Sequence, residues 1–347
     1  LKQAIDWRKK CLEIRQNGNN QGEIALELSE ISYIEMAMGL INKALITLSI
    51  AKNIAYQFRK LEDLRTEFSL KAYYEFLLGN SNKAYQNFET SLFYEQKRIA
   101  DTKTLYSRDG NNLAEFLIRI NELEQFKIIN KNNIKDCSQY LWTDKLGICY
   151  LFEGWFEILR KRYTLAEEVL IQAEEIFLPS GMLQEIARLD WIWGLYYEAK
   201  GDYQKGLQHV NDALLVCADK GFRLWHADNL VLRGRLYLMQ FEKEESKDLN
   251  LIEKAGDDAD NALKIAEDTG YIWAKVDALD LFAAYHQMRV KQGVGEKSKE
   301  KELAQRYAKE SAEIRKGLYL TKAQIEEAKR QAKEEFEKMT ADWPEED

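Results

Sequence analysis

Residues 181–240 read GMLQEIARLDWIWGLYYEAKGDYQKGLQHVNDALLVCADKGFRLWHADNLVLRGRLYLMQ. Gly194 stands inside one apolar-rich helical stretch. Gly206, Val210 and Ala213 stand inside the next, and Gly201-Asp202-Tyr203 lies between the two as a tight turn. The small residues fall where two helices must cross closely, and the large ones fall where those helices need filler. Trp193 and Tyr197, beside Gly194, read as packing around that crossing.

The rest of the chain is placed by offset from this stretch. A step of 40 takes Gly181 to Gly221 and Gly194 to Gly234; the same step backwards takes Gly194 to Gly154, Gly206 to Ala166 and Ala213 to Ala173. From Gly221 the step is 49, to Gly270, with Asp228 going to Asp277, Leu230 to Leu279, Leu232 to Leu281, Gly234 to Ala283 and Ala255 to Ala304. The extra residues lie around 241–251 and 290–301, which are polar and charged as surface loops or helix extensions are. Gly39 with Lys43-Ala44 recurs as Gly79 with Lys83-Ala84. Seven units result, the third, near 101–138, being degenerate.

A glycine-marked helix–turn–helix unit stepping through the chain in this way resembles the tetratricopeptide (TPR) repeat. The resemblance implies an all-α fold, a right-handed α-solenoid of stacked helix pairs. The expected organisation is an N-terminal helix or end of a preceding unit over 1–20, the array over 21–320, and a capping helix with a tail over 321–347.

Composition agrees with a helical array, which grows along one axis and so escapes the usual limit on domain size. The 347 residues include only Pro179 and Pro344 as prolines, and the apolar fraction of 46% suffices for a continuous core. The formal charge of −8 argues against a nucleic-acid or anionic-membrane surface. No apolar run approaches the length of a membrane span, and no signal peptide is expected. Cys11, Cys137, Cys149 and Cys217 are far apart with no CxxC pair, and read as buried reduced thiols of a cytoplasmic protein. Residues 1–17 read as the middle of a helix and begin with Leu1, which predicts a piece of something longer.

In order, helices are expected over 1–15, 23–37, 42–59, 61–78 and 82–99. Asp109-Gly110-Asn111-Asn112 then reads as a break, followed by a helix over 113–129 and a second polar break at 130–133. Further helices are expected over 134–160 (with a break near Asp144), 164–177, 183–200, 204–219, 223–241, 251–268, 272–290 and 298–316. Thr321 with Gln324 makes a capping box for a last helix over 322–339. That helix has a thin apolar edge of Ala323, Ile325, Ala328, Ala332 and Phe336, as a terminal solvating helix does. The tail over 340–347 is expected to fray.

The spacing of reactive residues marks no catalytic constellation. His209, His226 and His286 are isolated; there is no HExxH motif, His/Cys cluster or calcium loop, so no metal site and no cofactor is expected. Gly293-Val294-Gly295 lacks the strand and helix of a phosphate loop. No nucleophile–base pair can be read from spacing, and the segment is expected not to be an enzyme.

A stack of helix pairs offers a groove lined by the first helix of each unit. Carrying the groove positions of TPR repeats onto this sequence gives Ser29, Tyr33 and Met36; Ser69, Tyr73 and Phe76; Trp155 and Ile158; Arg188, Trp191, Leu195 and Glu198; Asp228, Val231, Arg235 and Met239; and Asp277, Asp280 and Ala284. Tyr33, Tyr73, Phe76, Trp155, Arg188, Trp191, Arg235, Met239 and Asp277 are the candidate partner-binding residues, with Arg188, Trp191 and Arg235 as anchors. Any one aromatic at helical spacing has core packing as its alternative reading. The lysine and asparagine clamp of chaperone-binding TPR proteins is absent from the first repeat, where Ser29 and Tyr33 stand instead.

The longer units and the DxLxLxG/A pattern (Asp228 to Gly234, Asp277 to Ala283) resemble the C-terminal TPR arrays of bacterial STAND-type NTPases, MalT-like regulators and TPR proteins attached to caspase-like proteases. This resemblance implies a protein- or peptide-binding sensor module in a larger signalling or defence protein, with an effector domain upstream. Two alternatives stay open: a static scaffold, or the regulatory array of an NTPase or protease whose active site lies outside the chain.

Overall fold

The computed structural model describes residues 1–18, 21–244 and 248–343. Among them the chain forms sixteen α-helices and no strand. It runs through α1 (Lys2–Asn17), α2 (Gln21–Ala37), α3 (Ile41–Gln57), α4 (Leu61–Leu77), α5 (Ser81–Arg98), α6 (Ser107–Arg119) and α7 (Leu123–Gln139). Then follow α8 (Thr143–Leu159), α9 (Tyr163–Ser180), α10 (Leu183–Lys200), α11 (Tyr203–Lys220), α12 (Arg223–Lys243), α13 (Asn250–Thr269), α14 (Ile272–Gln292), α15 (Lys297–Leu318) and α16 (Lys322–Thr340).

These helices belong to two compact units, one of Leu1–Leu141 with Leu318–Asp347 and one of Trp142–Gly317. In the first, α2 packs with α3, α4 with α5 and α6 with α7, while α1 lies on α2 and α16 on α5. In the second, α8 packs with α9, α10 with α11 and α12 with α13. The first helix of one pair also meets the first helix of the next: α2 with α4 and α4 with α6, and separately α8 with α10, α10 with α12 and α12 with α14.

The turns set the repeat length. Left-handed backbone recurs at Gly39, Arg59 and Gly79, and again at Asn121, Leu141, Lys161, Gly181, Gly201 and Gly221, every twentieth residue in each run. At such a turn the amide of the residue after the left-handed one reaches back to a carbonyl inside the last turn of the helix, as Leu40 N does to Glu35 O (2.9 Å), Arg162 N to Glu157 O (2.9 Å) and Asp202 N to Tyr197 O (2.8 Å). This closure satisfies the last carbonyls of the helix and reverses the chain. Glycine takes the left-handed position at no steric cost, while Arg59, Asn121, Leu141 and Lys161 adopt it against the clash of their own Cβ. Beyond Gly221 the helices lengthen: α12 and α14 have 21 residues each, α13 has 20 and α15 has 22, which absorbs much of the longer step.

The degenerate third unit corrects the sequence reading. Asp109–Asn112 is not a break but lies in the first turns of α6, and 130–133 lies inside α7. The expected helix over 113–129 is in fact the end of α6, a turn with Asn121 at φ 65°, and the start of α7. The polar residues misled because they are partnered across the pair. Asn133, fully buried, accepts from Ser107 N (2.6 Å) and donates to Asn111 Oδ1 (2.7 Å). Gly110 lets the helices approach this closely: a Cβ there would lie 2.9 Å from the Asn133 side chain. The break near Asp144 is real and separates α7 from α8.

The core of the first unit also carries buried carboxylates. Glu67 on α4 meets the Ser29 hydroxyl of α2, and burial pushes its carboxyl up to about 8, an effect that the Ser29 bond reduces. Glu95 on α5 is fully buried and held by Arg65 (3.3 Å) and Arg98 (2.7 Å). Cys137, Cys149 and Cys217 are buried and Cys11 is partly so, as read from the sequence. The capping box at Thr321 is present with both arms, Gln324 N to Thr321 Oγ1 at 3.3 Å and Thr321 N to Gln324 Oε1 at 2.9 Å. Of the tail, 344–347 fall outside the described residues.

Candidate functional site

In the second unit the adjoining helices α8, α10, α12 and α14 carry six of the candidate residues. Trp155 of α8 is 8% exposed, and its ring meets that of the half-buried Trp191 of α10 edge-on at 5.1 Å. One turn earlier, Arg188 lies over Phe152 (5.1 Å) and Trp225 (5.8 Å) and donates to Glu185 (3.1 Å). Only 7% of Arg188 is exposed, so it serves as a cation packed between rings from α8 and α12. The sequence reading made it a partner anchor; the aromatic residues on either side explain why it is covered instead.

Arg235 of α12 differs. Its guanidinium reaches both carboxylate oxygens of Glu198 on α10, with Nε at 2.7 Å from Oε1, yet 40% of its side chain stays accessible. Burial opposes its charge, but Glu198, and more distantly Asp277 and Asp280 of α14, outweigh burial and raise its pKa. Asp277 is held at 3.3 Å by Arg315 of α15, which also bonds Asp280. Glu198, Arg235, Asp277 and Asp280, with Arg315 of α15, thus form a cluster of mixed sign, and Met239 lies half-buried one turn beyond Arg235. A bidentate arginine–carboxylate pair is geometrically stiff, which fixes where the accessible edge of Arg235 points.

The candidates of the first unit are more covered. Phe76 has no exposed surface and packs edge-on to Phe116 of α6 (5.5 Å). Tyr73 is 4% exposed and donates to Glu115 (2.9 Å). Both are corrected to core positions, because α6, in the degenerate third unit, lies against α4 and covers them. Ser29, Ser69 and Met36 are buried for the same reason of helix contact. Tyr33 is half-buried and takes the Arg108 guanidinium over its ring (5.9 Å), while Arg108 donates to Glu30 (2.9 Å).

Two arginines that matter here escaped the sequence reading. Arg108 lies in the first turn of α6, just before the stretch read as a break. Arg315 sits on the second helix of its pair, which the groove positions do not include. Among the described residues no cluster of His, Cys, Asp or Glu is placed to hold a metal ion, and no helix is long and apolar enough to cross a membrane. No protein-family model matches the chain, and no curated protein matches it.

Proposed function

We propose that this chain is a protein- or peptide-binding module, a TPR-like right-handed α-solenoid whose concave face is lined in the second unit by α8, α10, α12 and α14. The reading rests on one observation: on this face Trp191, Arg235, Met239 and Asp277 keep accessible surface while Trp155, Glu198 and Arg315 hold three of them in place. Side chains fixed before binding lose less entropy on association, and aromatic and arginine side chains are those that dominate interface energies. The mixed charges favour a partner segment that itself carries both signs. In this reading the module is the sensing part of a larger signalling protein and acts on an effector domain of the same polypeptide.

The test uses a photo-crosslinking amino acid in place of Met239, on the proposed face, and separately in place of Leu215, which is 70% exposed on α11. A specific adduct is expected from position 239, none from 215, and loss of the adduct with Arg235→Glu. Adducts of equal yield from both positions, or an adduct insensitive to Arg235→Glu, would remove this face from the account.

A further inference from the structure

The C-terminal helix α16 docks within the first unit, on a surface made more than 200 residues earlier in the chain. Its apolar edge runs Ile325, Ala328, Ala332, Phe336 and Met339, and the first three are buried. Phe336 packs against Tyr94 (5.0 Å) and Phe93 (5.7 Å) of α5, and Trp343 against Tyr56 of α3 (5.8 Å) and Tyr94 (6.2 Å). Phe336, Met339 and Trp343 close over a buried cluster of Ala55, Leu64, Phe68 and Tyr94.

Polar contacts fix the register. Tyr56 donates to Met339 O (2.9 Å) and Gln86 to Glu335 (3.0 Å). Charges match as well: burial pushes the Glu89 carboxyl up and Lys329 of α16 opposes that, while burial and Lys52 push Lys71 down and Glu335 of α16 opposes that.

An amphipathic helix laid on an apolar face with matched charges at its edges is a helix-in-groove complex, formed here within one chain. Local contacts, as well as the face, favour the helix. It has a two-armed capping box and the ion pairs Lys329–Glu326 (3.1 Å), Arg330–Glu327 (2.6 Å) and Arg330–Glu334 on its exposed side. Residues 319–321 alone connect it to α15.

We propose that the face formed by α3, α4 and α5 is a docking site for an amphipathic helix with the apolar spacing of α16, and that it exchanges its own α16 for the α16 of a second copy of this chain. The second copy is the occupant because its helix carries the same apolar edge and the same Lys329 and Glu335 that the face matches. Reciprocal exchange joins two copies in a closed, two-fold pair without any new surface. In the unaltered chain the tethered α16 competes at an effective concentration on the order of millimolar, so exchange requires copies held together at a comparable local concentration.

Two full-length variants remove that competition. Phe336→Asp spoils the helix and leaves the site vacant; Phe93→Asp, at a half-buried position, spoils the site and leaves the helix free. Hydrogen exchange in α16 is expected to accelerate in each, with each monomeric alone. Mixed one to one at ~100 μM, well below the tethered effective concentration, they are expected to sediment as a heterodimer with α16 protection restored in the Phe93→Asp chain. A labelled peptide of residues 319–343 should bind the Phe336→Asp chain at least tenfold tighter than the unaltered chain. Mixed variants that stay monomeric overturn the proposal, whether or not the peptide binds; so does unchanged α16 exchange in both variants. Should an aspartate variant lose its helical circular dichroism, Phe336→Ala and Phe93→Ala give the same readout.

Discussion

Alanine in place of Gly194 puts a methyl group where three helices meet. A Cβ built at this position lies 2.7 Å from Val210 Cγ2 on α11 and 2.8 Å from Leu232 Cδ2 on α12. Both separations are far inside the roughly 3.5–4.0 Å of a relaxed carbon contact. Val210 is fully buried and β-branched, so its χ1 has little freedom to yield, and Leu232 is 1% exposed. Overpacking of this kind costs about 1–3 kcal/mol. Against it stands the gain of about 1 kcal/mol from alanine in a helix interior. With two contacts to relieve, one within the pair and one to the next pair, the net is a destabilisation of about 1–2 kcal/mol.

Gly317→Ala is the control. Gly317 is also helical, but nothing lies within 4 Å of its Cβ position. The same propensity gain without a clash predicts stabilisation of up to about 1 kcal/mol, less near a helix end. Urea unfolding followed by circular dichroism orders the two variants. Because repeats unfold in parts, hydrogen exchange across α10, α11 and α12 gives the local free energy. Gly194→Ala as stable as the unaltered chain, with protection in those helices intact, would refute the close crossing.

Lys161 holds φ at 58° in the turn before α9, a conformation costing about 1–2 kcal/mol for a residue with a Cβ; Lys161→Gly is expected to stabilise the fold by up to about 1 kcal/mol after the added freedom of the unfolded chain is counted, read as a higher urea midpoint. Asp202 caps α11 by accepting from Lys205 N at 3.2 Å, and Asp202→Ala should cost about 1 kcal/mol, read as faster exchange in the first turn of α11. Glu67 binds its proton more tightly in the fold, at about 8, than at its ordinary 4.5. The folded chain therefore holds more protons than the unfolded one in this window, so its stability is full below it and falls as pH rises, by up to about 1.4 kcal/mol per pH unit. Unfolding midpoints measured across that window should be flatter for Glu67→Gln; an unchanged slope would show that Glu67 is not the group responsible.

Periodicity was enough to find most of the helices. Gly39, Gly79, Gly181, Gly201, Gly221 and Gly270 all stand at left-handed turns, and Gly154, Gly194 and Gly234 all stand where a side chain would clash, so position and chemistry agreed locally. The reading failed where chemistry and position parted. Arg59, Leu141 and Lys161 occupy the same turns as those glycines, but nothing in their chemistry marks a left-handed residue. Asn111, Asn130 and Asn133 look like loop residues, yet they are buried in α6 and α7, where Asn111 and Asn133 bond to each other.

The candidate face shows the same division. The groove positions implied by the TPR resemblance put Trp191, Arg235 and Asp277 on first helices, and did so equally for Phe76 and Arg188, which are covered. Which of them keep surface is settled by neighbours from other pairs: Phe116 over Phe76, Phe152 and Trp225 around Arg188, Glu198 beside Arg235. The docking of α16 on α5 was beyond reach in the same way. Its capping box and thin apolar edge are local and legible, because a helix is closed by bonds a few residues apart. The face that receives the edge is built from residues 52–94, and only long-range packing brings so distant a surface to a helix that fits it.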